Sequence, residues 1–452
     1  MNLSDTDIRS VSVCTLGCKS NQYDSSALED ILRDEGGLDV VPFPGMADAY
    51  IINTCTVTGN TDRQSRQLIR KARRLNPDAV VIVTGCYAQV SPEEVSRIEG
   101  VDYVLGNSRK AGVLECLRTG RQGSARPMVG DYRDGAPLSL RARGASGRTR
   151  ANLKVQEGCN RSCAYCIIPH ARGVSKSLSM DDVEREIDAL VEKGFKEIVL
   201  TGIHLGAYGA DIGLHSGLIS ILELVEKRAY QCRFRLSSLD PDEVSDALIG
   251  ILKGSKRVCN HLHLALQSGD DAVIRMMKRP YTGEMFARKV LRLHEEVPEI
   301  SVGVDVIAGF PGEGEKEFEA TYSLLEDLPV SYLHIFPFSK RRGTAAESLG
   351  GHVPSGLIRE RCDRLRELDS IKRERFYKDF TGKKAEVLVE SARDRATGWL
   401  RGRARNYIPV VFGGKDGFMG RLAEVVLTGF TAGGMTGTIR EAAPATELAG
   451  RA

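Results

Sequence analysis

The chain has 452 residues, about three usual domain lengths, so two to four domains are expected. Hydrophobic residues at 42% and charged residues at 27% exclude a disordered or collagen-like chain. A net charge of +3 is close to neutral at this length, so affinity for nucleic acid must come from local basic patches. Met1 to Gly17 lack a basic region followed by an apolar stretch, and no apolar run approaches the ~18–20 residues of a membrane helix. A soluble, cytoplasmic protein with no membrane partner is expected. Eleven cysteines then point to metal or redox chemistry rather than disulfides.

Residues 9–118 alternate apolar strands with helices. VSVCTL (11–16), AYIINT (49–54) and VVIVTG (80–85) are β-branched runs suited to a buried parallel sheet. Asp24–Asp34 and Asp62–Leu75 carry apolar residues at helical spacing, so this first domain is α/β. Residues 119–148 are rich in Gly, Arg, Ala and Pro without periodicity and read as a linker. In residues 149–380 six strand candidates follow: 151–156, 197–202, 233–238, 261–267, 301–310 and 332–336. Helices separate them, such as Met180–Lys193 behind a Ser179 cap. Six βα units predict an incomplete (β/α)6 barrel with all strand C-terminal ends at one mouth. After a charged helix (Ile358–Asp379), residues 381–442 hold five short strands between Gly turns, the pattern of a small all-β barrel.

The strongest chemical signal is the CxxxCxxC of Cys159, Cys163 and Cys166, directly after the first strand of the barrel. Three thiolates on one loop can hold three irons of a 4Fe–4S cluster and leave the fourth iron open to a substrate. Zinc is the competing reading, but it favours paired C-x₂-C units with four closed ligands. Cys18, Cys55 and Cys86 each lie just past the C-terminal end of a predicted parallel strand, where open α/β sheets bind ligands. They form either a second three-thiolate site or three unrelated buried hydrophobes. Cys14, Cys116, Cys232, Cys259 and Cys362 have no such placement and read as packing residues.

The CxxxCxxC loop resembles the radical S-adenosylmethionine superfamily, and the chain from about 10 to 440 resembles its methylthiotransferase family. Collinear matches include TLGCKSNQYDS (15–25), NTCTVT (53–58), GCYAQ (85–89), EGCNRSCAYCIIPHARG (157–173), LTGIHLGAYG (200–209), LQSGDD (266–271), RPYT (279–282) and DVIAGFPGE (305–313). The resemblance implies an N-terminal cluster domain, a radical S-adenosylmethionine domain and a C-terminal OB-like, RNA-binding TRAM barrel. It implies two 4Fe–4S clusters, one on Cys159, Cys163 and Cys166 and one on Cys18, Cys55 and Cys86. The first would serve reductive cleavage of S-adenosylmethionine to a 5′-deoxyadenosyl radical that removes the hydrogen at C2 of an adenine. The second would hold the sulfur to be inserted, with a second S-adenosylmethionine giving the methyl group. The segments around Cys18 and Cys55 are most similar to the branch acting on threonylcarbamoyladenosine of tRNA. Other branches act on isopentenyladenosine or on an aspartate of a ribosomal protein. Implied partners are tRNA, a sulfur source and an electron donor of the flavodoxin or ferredoxin type.

Barrel geometry nominates Thr201, Gly202, Ser237, Gln267 and Gly309, at strand C-terminal ends, for holding S-adenosylmethionine. His170 and His204 lie beside motifs, with substrate contact and a structural role both open. Val174–Leu178 depart from the family's Arg-Ser-Arg, with Lys176 keeping one positive charge. Six cations from Arg63 to Arg74 crowd one helix. Arg401, Arg403 and Arg405 interleave with Trp399 and Tyr407, a combination suited to RNA contact by phosphate tracking and base stacking. A non-catalytic RNA-binding iron–sulfur protein is the reading from a different class. It sits poorly with two thiol triplets that each lack a fourth ligand.

Overall fold

In a computed structural model, which describes residues 8–130, 138, 140–142, 148–431 and 433–439, the three apolar runs of the first domain become strands. β1 is Ser10–Thr15, β2 Asp39–Val41, β3 Ala49–Thr54, β4 Val80–Gly85, β5 Tyr103–Leu105 and β6 Arg126–Met128. β3 and β4 are buried at every position, which requires a covered sheet on both faces. The parallel sheet runs in the order β2-β1-β3-β4-β5-β6. Helices Lys19–Asp34 and Val113–Thr119 pack against Val11, Ile51 and Ile82 on one face. Helix Gly59–Leu75 and the Cys86–Ser96 region pack against Ile52, Val81 and Val83 on the other. β6 lies in the stretch expected to be linker. Its Arg-Pro-Met sequence has no strand signal, and Pro127 is accommodated because β6 is an edge strand. Leu140 and Ala142 also enter the first domain's core. Between them Arg141 reaches Asp182 and Glu186 of the next domain. Linker positions 131–137, 139 and 143–147 lie outside the described residues.

The second domain contains β7 (Ala151–Lys154), β8 (Gln156–Glu157), β9 (Lys176–Ser177), β10 (Glu197–Thr201), β11 (Arg233–Leu236), β12 (His261–Gln267), β13 (Ser301–Ala308) and β14 (Tyr332–Pro337). β7-β10-β11 and β12-β13-β14 are parallel triplets. Bridges Phe234↔Val258 and Leu239↔Leu264 stitch the triplets together into an open six-stranded arc. Leu153, Ile198, Phe234, Leu264 and Val304 pack outward beneath the helices. The alternate positions point into the lumen and include the polar Glu197, Arg233, Arg235, His263 and Asp305. The expected cap holds: Ser179 accepts the Asp182 amide, and Val183, Ile187 and Leu190 are buried along helix Met180–Glu192.

Helix Ser355–Lys378 leads to the third domain, a closed barrel in the order β15-β16-β17-β19-β18. These strands are β15 Lys384–Val389, β16 Leu400–Ala404, β17 Pro409–Gly413, β18 Leu422–Thr431 and β19 Gly434–Ile439. This barrel docks under the N-terminal ends of the central strands, opposite the mouth. Arg233 Nη2 donates to Arg403 O at 2.7 Å, and Arg235 Nη1 donates to Arg405 O at 2.9 Å. Glu197 sits between both guanidinium groups, 2.7 Å from Arg233 Nε and 2.9 Å from Arg235 Nε. Burial alone would push its carboxyl up, but Arg235 and Arg233 hold it well below the usual carboxylate range.

Candidate metal centres

β1, β3 and β4 are neighbours, with Thr15 opposite Asn53 and Thr54 opposite Gly85, so their C-terminal ends lie side by side. Cys55 and Cys86 follow directly on β3 and β4, and Cys18 closes the turn after β1. Gly17, at φ +99°, folds that turn onto Cys55: a Cβ on Gly17 would stand 2.9 Å from Cys55 Sγ. Asn21 Nδ2 anchors the same turn by donating to Leu16 O at 2.7 Å and Thr54 O at 2.9 Å. All three cysteines are free thiols. Burial, and then the charges of Cys86 and Cys18, push the Cys55 thiol up to about 12. A buried Cys55 thiol flanked by two more cysteine sulfurs becomes a thiolate beside them only around a cation, so the donor set fits a metal cluster.

Arg172, from helix Ile168–Arg172 of the second domain, reaches across to this triplet. Its Nε donates to Cys86 Sγ at 3.4 Å, and its other nitrogens bond Asp24, Glu157 and Asn21. Lys110 and Lys154 also bond Asp24. Burial pushes the Asp24 carboxyl up, but these three cations hold it well below the carboxylate range. Asn107 Nδ2 donates to Ala171 O at 2.6 Å, a second tie between the domains.

At the other end of that five-residue helix, about 7–8 Å long, lies the CxxxCxxC loop. Gly158 at φ +71° starts it with its Cα against the chain at Val174, where a Cβ would stand 1.9 Å from the carbonyl oxygen. Cys159 N donates to Gly173 O, Cys166 N to Cys163 O and Ala164 N to Met277 O, each at 3.0 Å. Arg279 Nη1 donates to Cys163 Sγ at 3.0 Å, and the Arg161 amide to Cys159 Sγ at 3.4 Å. Asp240 pairs with both of these arginines, and His204 Nδ1 lies 3.7 Å from Cys159 Sγ. Burial pushes the Cys166 thiol up to about 12, with Cys163 and Cys159 adding to it. This set too fits a cluster.

Thr201, Gly202, Ser237, Gln267 and Gly309 all lie at the mouth onto which this loop opens. Ser237 Oγ is buried and has no partner among the described residues, the condition of a hydroxyl that meets a ligand. Gln267, at φ +66°, turns at the end of β12. Thr201 Oγ1 donates to Val199 O at 3.2 Å, while Gly202 packs against Gln156. The Gly309 amide is used by Glu313, and a Cβ there would strike Ile358, so its need for glycine is also one of packing. His170 is exposed at the rim of a cavity of about 750 Å³.

Lys176 and Ser177, in the departing segment, form β9 against β8. Of the expected RNA residues, Trp399 is 43% exposed and Arg401 pairs with Glu390 at 2.8 Å. Arg403 stacks on Tyr407 at 4.4 Å, Tyr407 packs on His261, and Arg405 donates to Val258 O at 2.8 Å. The structure thus gathers Arg405 and Tyr407 against the central domain, away from Trp399. On helix Gly59–Leu75, Arg66 and Arg73 bond neighbouring groups, while Arg63, Arg70, Lys71 and Arg74 are exposed. Sequence reasoning missed Arg172 and Arg279, although both stand in stretches it matched, PHARG and RPYT.

Residues 10–106 match the uncharacterized protein family UPF0004, and residues 153–325 match the radical SAM superfamily. The threonylcarbamoyladenosine tRNA methylthiotransferase MtaB of Bacillus subtilis is 39% identical, over 91% of this chain and 92% of that protein. Its Aquifex aeolicus counterpart is 40% identical over 83% and 91%. A tRNA-2-methylthio-N(6)-dimethylallyladenosine synthase of Thermodesulfovibrio yellowstonii is 31% identical over 88% and 91%. Among solved structures, the radical S-adenosylmethionine methyltransferase TsrM of Kitasatospora setae, with cobalamin and a [4Fe-4S] cluster bound, superposes with a TM-score of 0.53. It is 16% identical over 73% of this chain and 75% of that one.

Proposed function

This chain belongs to the threonylcarbamoyladenosine tRNA methylthiotransferase family of radical S-adenosylmethionine enzymes, and from that premise we propose how its residues divide the work. The reaction replaces the hydrogen at C2 of N6-threonylcarbamoyladenosine in tRNA with a methylthio group. Cys159, Cys163 and Cys166 hold one 4Fe–4S cluster, and Cys18, Cys55 and Cys86 hold a second. A cluster on Cys159, Cys163 and Cys166 would supply the single electron that splits S-adenosylmethionine, and one on Cys18, Cys55 and Cys86 would supply the sulfur. The observation that carries this reading is Arg172, one guanidinium that touches Cys86 and stands one short helix away from Cys166.

The protein's own groups position and insulate. Arg172 and Arg279 each donate to a ligand sulfur, which fixes its direction. Val273, Met277 and Phe310 pack against Ala164 of the CxxxCxxC loop and keep water from it. Ser237, Thr201 and Gln267 line the mouth and orient S-adenosylmethionine through hydroxyl and amide contacts. Trp399 and Arg401, together with the exposed cations of helix Gly59–Leu75, contact tRNA. A flavodoxin- or ferredoxin-type donor and a sulfur source complete the system. Among the described residues no helix is long and apolar enough to cross a membrane.

The test is anaerobic reconstitution with reductant, S-adenosylmethionine, sulfide and tRNA carrying threonylcarbamoyladenosine, followed by iron assay and nucleoside mass spectrometry. Cys55→Ala is expected to lose the iron of one cluster and all methylthio product while still forming 5′-deoxyadenosine. Cys163→Ala is expected to lose 5′-deoxyadenosine as well. Conversion of dimethylallyladenosine in place of threonylcarbamoyladenosine by the unaltered protein would overturn the substrate assignment.

A further inference from the structure

A cavity of about 470 Å³, within the range of small-ligand sites, lies where the three domains meet. Cations line it from every side: Lys19 from the first domain, Arg150 and Arg235 from the central one, and Arg401 from the small barrel. The carboxylate on its wall, Glu390, is already paired, 2.8 Å from Arg401 and 3.7 Å from Arg150. Arg235 is held by Glu197. Lys19 Nζ, in contrast, has no hydrogen-bond or carboxylate partner among the described residues, although its side chain is half-buried. A cation drawn partly out of water with no directly bonded carboxylate is unfavourable, and cations outnumber carboxylates on the cavity wall, so the cavity favours an anion.

Lys19 directly follows Cys18. On an adenine ring C2 and C6 flank N1, so a group on N6 projects from the same edge as C2. Given the reading above, in which Cys18 belongs to the site acting at C2, the N6 substituent falls within reach of Lys19. A threonylcarbamoyl group ends in a carboxylate, whereas a dimethylallyl group is hydrocarbon. We propose that this cavity receives the threonyl carboxylate, with Lys19 Nζ as its direct partner, and so selects the anionic N6 substituent over hydrocarbon ones. A hydrocarbon would strip water from Lys19 and return no bond, which is discrimination through an unpaired polar group.

The test uses the reconstituted holoenzyme without reductant, so that binding is read apart from turnover. The probes are anticodon stem–loops carrying threonylcarbamoyladenosine as the free acid, as its methyl ester, or unmodified adenosine. The unaltered enzyme is expected to bind the acid about 10- to 100-fold more tightly than the ester, the range of a charge-assisted hydrogen bond. Lys19→Gln, checked for iron content and circular dichroism, is expected to bind acid and ester alike. Equal binding of acid and ester by the unaltered enzyme overturns the proposal. So does a uniform loss across all three stem–loops in Lys19→Gln, which would assign the cavity to a backbone phosphate. Methylthiolation of threonylcarbamoyladenosine by the unaltered enzyme is scored separately, so a failure of the functional reading is seen as such.

Discussion

Arg172 shows how much one side chain can hold. It is 1% exposed and binds a cysteine sulfur, two carboxylates and an amide drawn from two domains. Removing it leaves Asp24 and Glu157 to Lys110 and Lys154 but takes a buried donor from Cys86 and Asn21, at a cost of about 1–3 kcal/mol. Arg172→Ala is therefore expected to lower the thermal midpoint and the iron bound by the first domain, measured by calorimetry and iron assay. Arg172→Lys keeps the charge but cannot span four acceptors, so it should fold and still lose iron. The six candidate ligand cysteines were legible in the sequence because each stands at a strand end or in a spaced triplet. Arg172 was not, because Cys86 and Asn21 lie 86 and 151 positions away from it. Nothing local marks a residue whose partners are that remote.

Among the elements, the longer strands are legible in the sequence, whereas the three-residue strands β2, β5 and β6 are not. β3 and β4 declare themselves by runs rich in apolar, β-branched residues, whereas β6 pairs by its backbone and packs only Met128 on the core, within a stretch that reads as linker. Inward polar positions on β10 and β11 have a consequence for acid stability. Glu197 is fully buried, and Arg235 and Arg233 depress its carboxyl below the ordinary value, so its stabilising effect is present above about pH 4.3, the usual unfolded value. It is lost as pH falls below that value toward the depressed one. The thermal midpoint is expected to drop steeply across this acid range. Glu197→Gln should flatten that limb and lower the midpoint at pH 7, since Arg235 loses its carboxylate and Arg233 keeps only Glu386. Calorimetry at a series of pH values decides it.

For the molecule as a whole, the order of three domains was readable from changes in periodicity, but their docking was not. The small barrel meets the central one through backbone carbonyls at Arg403, Ala404 and Arg405, and a carbonyl carries no side-chain signature. That contact separates two roles of the third domain. Trp399→Ala, at an exposed position, is expected to leave the thermal midpoint unchanged and weaken tRNA binding by about 1–3 kcal/mol, the value of a stacked base. Deletion after Lys378 is expected to destabilise the central domain itself, visible as aggregation, because Arg233 and Arg235 lose their carbonyl acceptors in the small barrel. The same floor sets a timetable for biosynthesis. Arg233 and Arg235 wait for acceptors about 170 positions downstream, which at translation speeds of 5–20 residues per second is roughly 10–30 s. Until the last strands leave the ribosome the central arc stays open beneath. A nascent chain interrupted in that interval presents to the cell's proteases and chaperones arginines that Glu197 holds but whose outer nitrogens lack acceptors, so only a chain translated through the small barrel acquires a sealed interior.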